Sequence, residues 1–107
     1  MSKYDKLAQD LIEAREASIE AGKGEDGGSA NFDSVFLRLP HWREEKVLEA
    51  IKKAGLYCVG KTKWIGAGYL ISPVGCGIGN SRARAMEAIK NVLAEKGYDV
   101  LGYYQMD

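Results

Sequence analysis

The residues best suited to chemistry lie in one glycine-rich loop and in the first turn of the helix predicted after it. The glycines between Gly75 and Gly79 let backbone N–H groups turn inward as an anion nest, and Asn80 or Ser81 can cap the helix. Arg82 and Arg84 add positive charge to a helix end that is already positive, which costs up to about 1 kcal/mol. A bound phosphate, sulfate or carboxylate would offset that charge. The predicted anion-binding residues are Gly77, Gly79, Asn80, Ser81, Arg82 and Arg84.

Carboxylates of the chain itself could supply the same negative charge. Glu25, Asp26, Asp33 and Asp107 are expected at the same end of the molecule as this helix start. Internal ion pairs are commoner than ligand sites, so the internal explanation is the preferred one.

Thiol catalysis is an alternative hypothesis for the same loop. Cys76 and Arg82 stand in the spacing C-x5-R between a predicted strand and a predicted helix, which resembles the phosphate-binding loop of cysteine-dependent phosphatases. The resemblance implies that Cys76 is the nucleophile, that Arg82 holds the phosphoryl oxygens, and that Asp26 or Asp33 protonates the leaving group. The chain is shorter than such enzymes and its predicted sheet is antiparallel rather than parallel. An unreactive cysteine in a tight turn is therefore the preferred interpretation.

Composition indicates one soluble globular domain over residues 1–107. The chain has 15 basic and 15 acidic side chains, and 46% of its residues are hydrophobic. It shows no signal-peptide core and no apolar run long enough to span a membrane, and two cysteines do not make a disulfide framework. We therefore expect a cytoplasmic protein with no membrane contact.

The neutral net charge combines two unlike segments. Residues 1–34 hold four basic and eight acidic side chains, whereas no acidic residue occurs from Ala50 to Met86. The neutral net charge excludes a protein that coats nucleic acid through an overall positive charge, but it does not exclude a local anion site.

Hydrophobic periodicity predicts three helices and four strands. The helices are expected at residues 3–21, 42–54 and 80–96, and the strands at 31–39, 56–65, 69–72 and 98–106. The segment Gly66-Ala67-Gly68 is expected to form a tight turn between the second and third strands.

This order predicts an α+β fold. After the first helix the pattern is βαββαβ, the split βαβ arrangement of ferredoxin-like folds, with an antiparallel sheet in the strand order 4-1-3-2. Residues 31–107 would form this core. Residues 1–22 would be an accessory helix that covers the other face of the sheet or packs at an edge.

No metal site or cofactor is expected. The acidic segment from Gly24 to Asp33 lacks the alternation of an EF-hand loop, and no C-x-x-C or H-x-x-H spacing occurs. An acidic turn is the preferred interpretation.

Four segments of the chain resemble a group of small proteins from low-GC Gram-positive bacteria and their mobile elements. The segments are GEDGG, NFDS, the glycine-rich turn with its arginine-rich helix start, and YYQMD, and together they cover about residues 24–107. No activity is attached to that group, so the resemblance implies no mechanism.

The preferred function is a non-enzymatic binding module. An open sheet face bearing Phe36, Arg38 or Tyr103 would bind a protein partner or a second copy of the chain. Nucleic-acid binding is the other alternative, because Trp42, Lys61, Lys63 and Trp64 are expected at one end of the sheet. The segment from Lys63 to Tyr69 matches the aromatic pattern of RNA-recognition motifs poorly, which disfavours this alternative.

Overall fold

The computed structural model describes residues 2–24, 33–58, 60–74 and 80–103. Within these ranges the helices are α1 (Lys3–Gly22), α2 (Glu44–Lys53) and α3 (Asn80–Glu95). The strands are β1 (Ser34–Arg38), β2 (Lys61–Trp64), β3 (Gly66–Ile71) and β4 (Asp99–Tyr103). Gly55 and Gly97, which follow α2 and α3, both adopt the positive φ angles typical of helix ends.

The four strands form one antiparallel sheet in the order β2-β3-β1-β4. Phe36 of the central strand β1 stands opposite Leu70 of β3 on one side and Leu101 of β4 on the other. The α+β class, the antiparallel sheet and the strand order are thus as expected.

The hairpin between β2 and β3 differs from the expected one. Trp64 pairs with Gly66, so Ile65 is the residue at the turn, and the predicted turn segment lies inside β3. Strand β2 begins at Lys61 rather than at Leu56, and Tyr57 only forms an isolated bridge to Ser72. Gly60, which separates the two, has a φ of 146°, a conformation that L side chains rarely adopt.

All three helices pack on one face of the sheet. Val35 and Leu37 of β1 belong to the same buried cluster as Leu7 and Leu11 of α1, all at 0% exposure. Helix α1 therefore joins the helical layer, and neither expected position, over the opposite face or at an edge, is correct.

Helices α1 and α3 lie antiparallel, and bonds to α1 are made at both ends of α3. The Ser81 hydroxyl donates to the Gly22 carbonyl over 2.6 Å at the end of α1. At the other end, the Lys96 ammonium lies 2.6 Å from a carboxylate oxygen of Glu13. Between them small residues are buried in the helices, which permits a short interaxial distance. They are Ala14, Ser18, Ser81 and Ala85.

Candidate interaction face

The face of the sheet opposite the helices carries a set of side chains that we call the open face. It follows from strand alternation, because neighbouring residues point to opposite sides of a sheet. The open face consists of Ser34, Phe36, Arg38, Thr62, Trp64, Gly66, Gly68, Leu70, Asp99, Leu101 and Tyr103.

Three aromatic rings pack together across the open face. The Trp64 ring meets the Phe36 ring edge to face at a centroid distance of 5.2 Å, and it meets the Tyr103 ring in the same manner at 4.8 Å. Phe36 is fully buried, whereas Trp64 is 43% exposed. Such pairs contribute about 0.5–1.5 kcal/mol each beyond area burial, so the rings form an ordered platform.

Gly68 is the position that lets the Phe36 ring lie flat on β3. A Cβ added at Gly68 would stand 2.6 Å from Cζ of Phe36 and 2.9 Å from the carbonyl oxygen of Leu37. Both distances are shorter than real Cβ contacts. The glycine is therefore required by close packing rather than by a turn.

The open face exposes aromatic and aliphatic surface beyond this platform. Tyr57 pairs with Ser72, whose hydroxyl lies 3.5 Å from that of Ser34, so Tyr57 extends the open face past the end of β2. Tyr57 is 60% exposed, and Ile65 at the hairpin turn is 48% exposed. A patch that groups exposed Tyr, Trp and Ile has the composition of a protein interface.

The two charged side chains of the open face neutralise each other. Nε of Arg38 lies 2.9 Å from one carboxylate oxygen of Asp99, and Nη2 donates to the other over 3.0 Å. Nη1 of Arg38 donates to the carbonyl oxygen of Ile65 over 3.2 Å. This arginine thus joins β1 to the hairpin turn and leaves the face without net charge.

The two tryptophans lie near strand ends that are close together, since Arg38 at the end of β1 bonds to the hairpin turn, but they lie on different faces of the sheet and do not form one cluster. Trp42 packs edge to face on Tyr4 of α1 at 5.5 Å, next to the main core, whereas Trp64 belongs to the open face. Lys61 and Lys63 alternate with Trp64 along β2 and so point to the opposite side of the strand. Trp64 is therefore separate from the core against which Trp42 packs.

The polar residues at the start of α3 bind backbone carbonyls. Nε of Arg84 donates to the Ala21 carbonyl over 3.0 Å, and Nε of Arg82 donates to the Asp33 carbonyl over 2.9 Å. Ser81 bonds to the end of α1 as described above. The C-terminal carbonyls of a helix form the negative end of its dipole, so the end of α1 offsets part of the charge that Arg84 adds to α3. The carboxylates of Glu25, Asp26 and Asp107, which were expected in this role, lie outside the described residues.

Much of the predicted catalytic and anion-binding set lies outside the described residues. This holds for Cys76, Gly77, Gly79, Asp26 and the acidic segment around Asp26. Of the rest, Asn80 is exposed at the first position of α3, and Asp33 is 5% exposed. The anion site and the thiol chemistry therefore stay predictions.

The other cysteine, Cys58, has the surroundings of an unreactive thiol. Burial raises its pKa above the ordinary value, and its sulfur donates to the Gly60 carbonyl over 3.5 Å. A protonated thiol is a poor nucleophile at neutral pH. In the part of the chain that the structure describes, no group of three or more His, Cys, Asp and Glu residues could hold a metal ion.

Sequence patterns gave no indication of two features. Tyr57 lies in the segment 56–65, which was expected to be a regular strand, and that expectation does not predict how exposed its side chain is. The carboxylate of Asp10 in α1 is buried and bonds to Tyr98 and Lys6. A carboxylate on an otherwise apolar face is the signal that could have identified it.

In the ranges that the structure describes, none of the helices is long and apolar enough to cross a membrane. Comparison of the chain with protein-family models, with curated proteins and with solved structures found no significant match.

Proposed function

We propose that this chain is a non-enzymatic interaction module that binds a protein partner through its open face. The observation that carries the proposal is the exposure of Tyr57 and Trp64 on a face that α1 leaves uncovered, with Ile65 exposed at the adjoining hairpin turn. Monomeric proteins seldom group large apolar side chains in this way unless the surface binds something. The ordered ring platform beneath these residues favours binding, because little side-chain entropy is lost on contact.

The charge of the face favours a protein over a nucleic acid. Nucleic-acid sites combine rings open to stacking with unpaired basic residues. On the open face the one arginine is paired with Asp99, and the rings of Phe36 and Tyr103 pack against the edges and face of Trp64.

We also propose that the module has a ferredoxin-like βαββαβ core with an added N-terminal helix. The element order and the strand order of the sheet support this fold. The resemblance to small proteins of low-GC Gram-positive bacteria suggests a cytoplasmic partner encoded by a host or a mobile element. A second copy of the chain is the other candidate partner.

Site-specific photocrosslinking tests the binding face. A photoreactive phenylalanine analogue placed at Tyr57 should yield a crosslinked adduct in cells that express the protein. The matched control is the same analogue at Ile12, which is 40% exposed on α1 and lies away from the open face. Mass spectrometry of the adduct separates a different protein from a second copy. Equal labelling from both positions, or no adduct from Tyr57, would refute the binding face.

A further inference from the structure

A cavity of about 380 Å³ opens between the start of α1, the loop after β1 and the turn before β4. Three lysines line it, and we call it the lysine cavity. The residues that matter for its chemistry are Lys3, Lys6, Lys96, Arg38, Trp42 and Tyr98. A volume of this size lies within the range of small-molecule sites.

Most of the charges that line the lysine cavity are paired. Four lining side chains are basic and one, Asp99, is acidic, and Asp99 is paired with Arg38. Lys96 is paired with Glu13 at 2.6 Å. The ammonium group of Lys3 lies 4.6 Å from the centre of the Trp42 ring. Among the described residues, no carboxylate lies within ion-pair distance of Lys3. One positive charge in the cavity is therefore without an anionic partner in this part of the chain.

The buried carboxylate of Asp10 forms ion pairs with Lys6 and Lys96, the other two lysines of the cavity. Asp10 is 7% exposed, and its oxygens lie 2.7 Å from the ammonium group of Lys6 and 3.6 Å from that of Lys96. An ammonium group has three donors, and Lys6 gives one of them to Asp10. The remaining donors are available to a ligand, and the anchoring reduces the entropy that these side chains lose on binding.

The cavity also has an aromatic wall. Trp42 and Tyr98 are both half-buried and line it together. A ligand that matches this lining needs several acceptor oxygens, a negative charge for Lys3 and a flat apolar body.

We propose that the lysine cavity binds a small phosphorylated molecule with a flat apolar body, such as a nucleoside monophosphate. A phosphate monoester carries about −1.5 to −2 charge at neutral pH and offers three acceptor oxygens. A carboxylate offers two oxygens and a single charge. The phosphate therefore has an acceptor oxygen for each of the three ammonium groups and a charge for Lys3, and the aromatic wall gives the body of the ligand a surface to lie on.

The two tryptophans allow a test with an internal control. Adenosine monophosphate, inorganic phosphate and adenosine would each be titrated into the intact protein, and the two indole N–H signals followed by NMR. We expect adenosine monophosphate to shift the Trp42 signal and to leave the Trp64 signal in place. Phosphate should bind more weakly, and adenosine should cause no shift. Equal affinity for phosphate and the nucleotide would refute recognition of the flat body.

A pair of charge-matched variants tests the role of the lysines. Lys3→Gln should weaken nucleotide binding by about tenfold, since it removes a charge-assisted contact. Lys61→Gln removes the same charge from an exposed position on β2 and should leave the affinity unchanged. Equal weakening in both variants, or no Trp42 shift in the wild type at millimolar nucleotide, would overturn the proposal.

Discussion

The bond between Tyr98 and Asp10 permits a quantitative test of the structure. The Tyr98 hydroxyl donates to a carboxylate oxygen of Asp10 over 2.6 Å, and the Asp10 side chain is 10% exposed. A hydrogen bond to a charged group contributes about 1.5–3 kcal/mol. Lys6 keeps its own bond to Asp10, so Tyr98→Phe should cost about 1.5 kcal/mol, near the lower limit. For a domain of 107 residues, that loss lowers Tm by roughly 7 °C.

The cost of Tyr98→Phe should depend on pH. Burial acts to raise the pKa of Asp10, but hydrogen bonds from Lys6 and Tyr98 and the nearby ammonium groups hold it below the ordinary value of 3.8. The unfolded chain therefore binds this proton first as pH falls. The stabilisation is complete above pH 3.8 and is lost as pH falls through the lower pKa of the folded state. The difference between wild type and variant should thus be full at neutral pH and shrink in acid.

Urea unfolding of both proteins across neutral to acid pH measures this difference. Tyr57→Phe is the matched control, because its side chain is 60% exposed and the loss of its hydroxyl should change stability little. A Tyr98→Phe protein as stable as the wild type at neutral pH would refute the bond. A stability difference that stays constant into strong acid would refute the coupling to Asp10.

Three further variants test packing and polar contacts. Gly68→Ala should destabilise the fold by about 2 kcal/mol, because the new Cβ would overlap the Phe36 ring. Urea unfolding measures this loss, and an unchanged unfolding midpoint would contradict the close packing. Tyr69→Phe should leave the free energy of unfolding unchanged or raise it by up to about 1 kcal/mol, since the Tyr69 hydroxyl is buried without a partner among the described residues. A clearly lower Tm for this variant would show that the hydroxyl forms a stabilising hydrogen bond. Ser81→Ala should lower the free energy of unfolding by about 1 kcal/mol through the lost bond to Gly22. Amide hydrogen exchange at the end of α1 should accelerate in this variant, and an unchanged exchange rate would argue against the bond.

The elements of the fold could be predicted because their apolar periodicity is local. Helix α3 begins at Asn80 as expected, and β1 lies within its expected range. The hairpin turn was predicted at the wrong residues because glycine is common both in turns and where another group packs close to the backbone. Only the position of the Phe36 ring shows that close packing is the reason for Gly68.

The position of α1 could not be predicted, because its contact surface is not a regular apolar stripe. The apolar Ile12 is 40% exposed, whereas the polar Ser18 is fully buried. Close helix packing depends on small residues, which hydrophobic periodicity does not weight. Likewise, the carbonyl partners of Arg82 and Arg84 are backbone groups, which the sequence of side chains does not reveal.

The antiparallel contact between α1 and α3 determines when this chain can fold during synthesis. The bond from Ser81 to Gly22 joins positions 59 residues apart. Helix α1 leaves the ribosome well before α3, the partner that covers much of its inner side. Until then Leu7 and Leu11 have no complete core to enter. Because contacts of such long sequence separation slow folding, residues 3–103 should become resistant to proteases only after α3 has been translated.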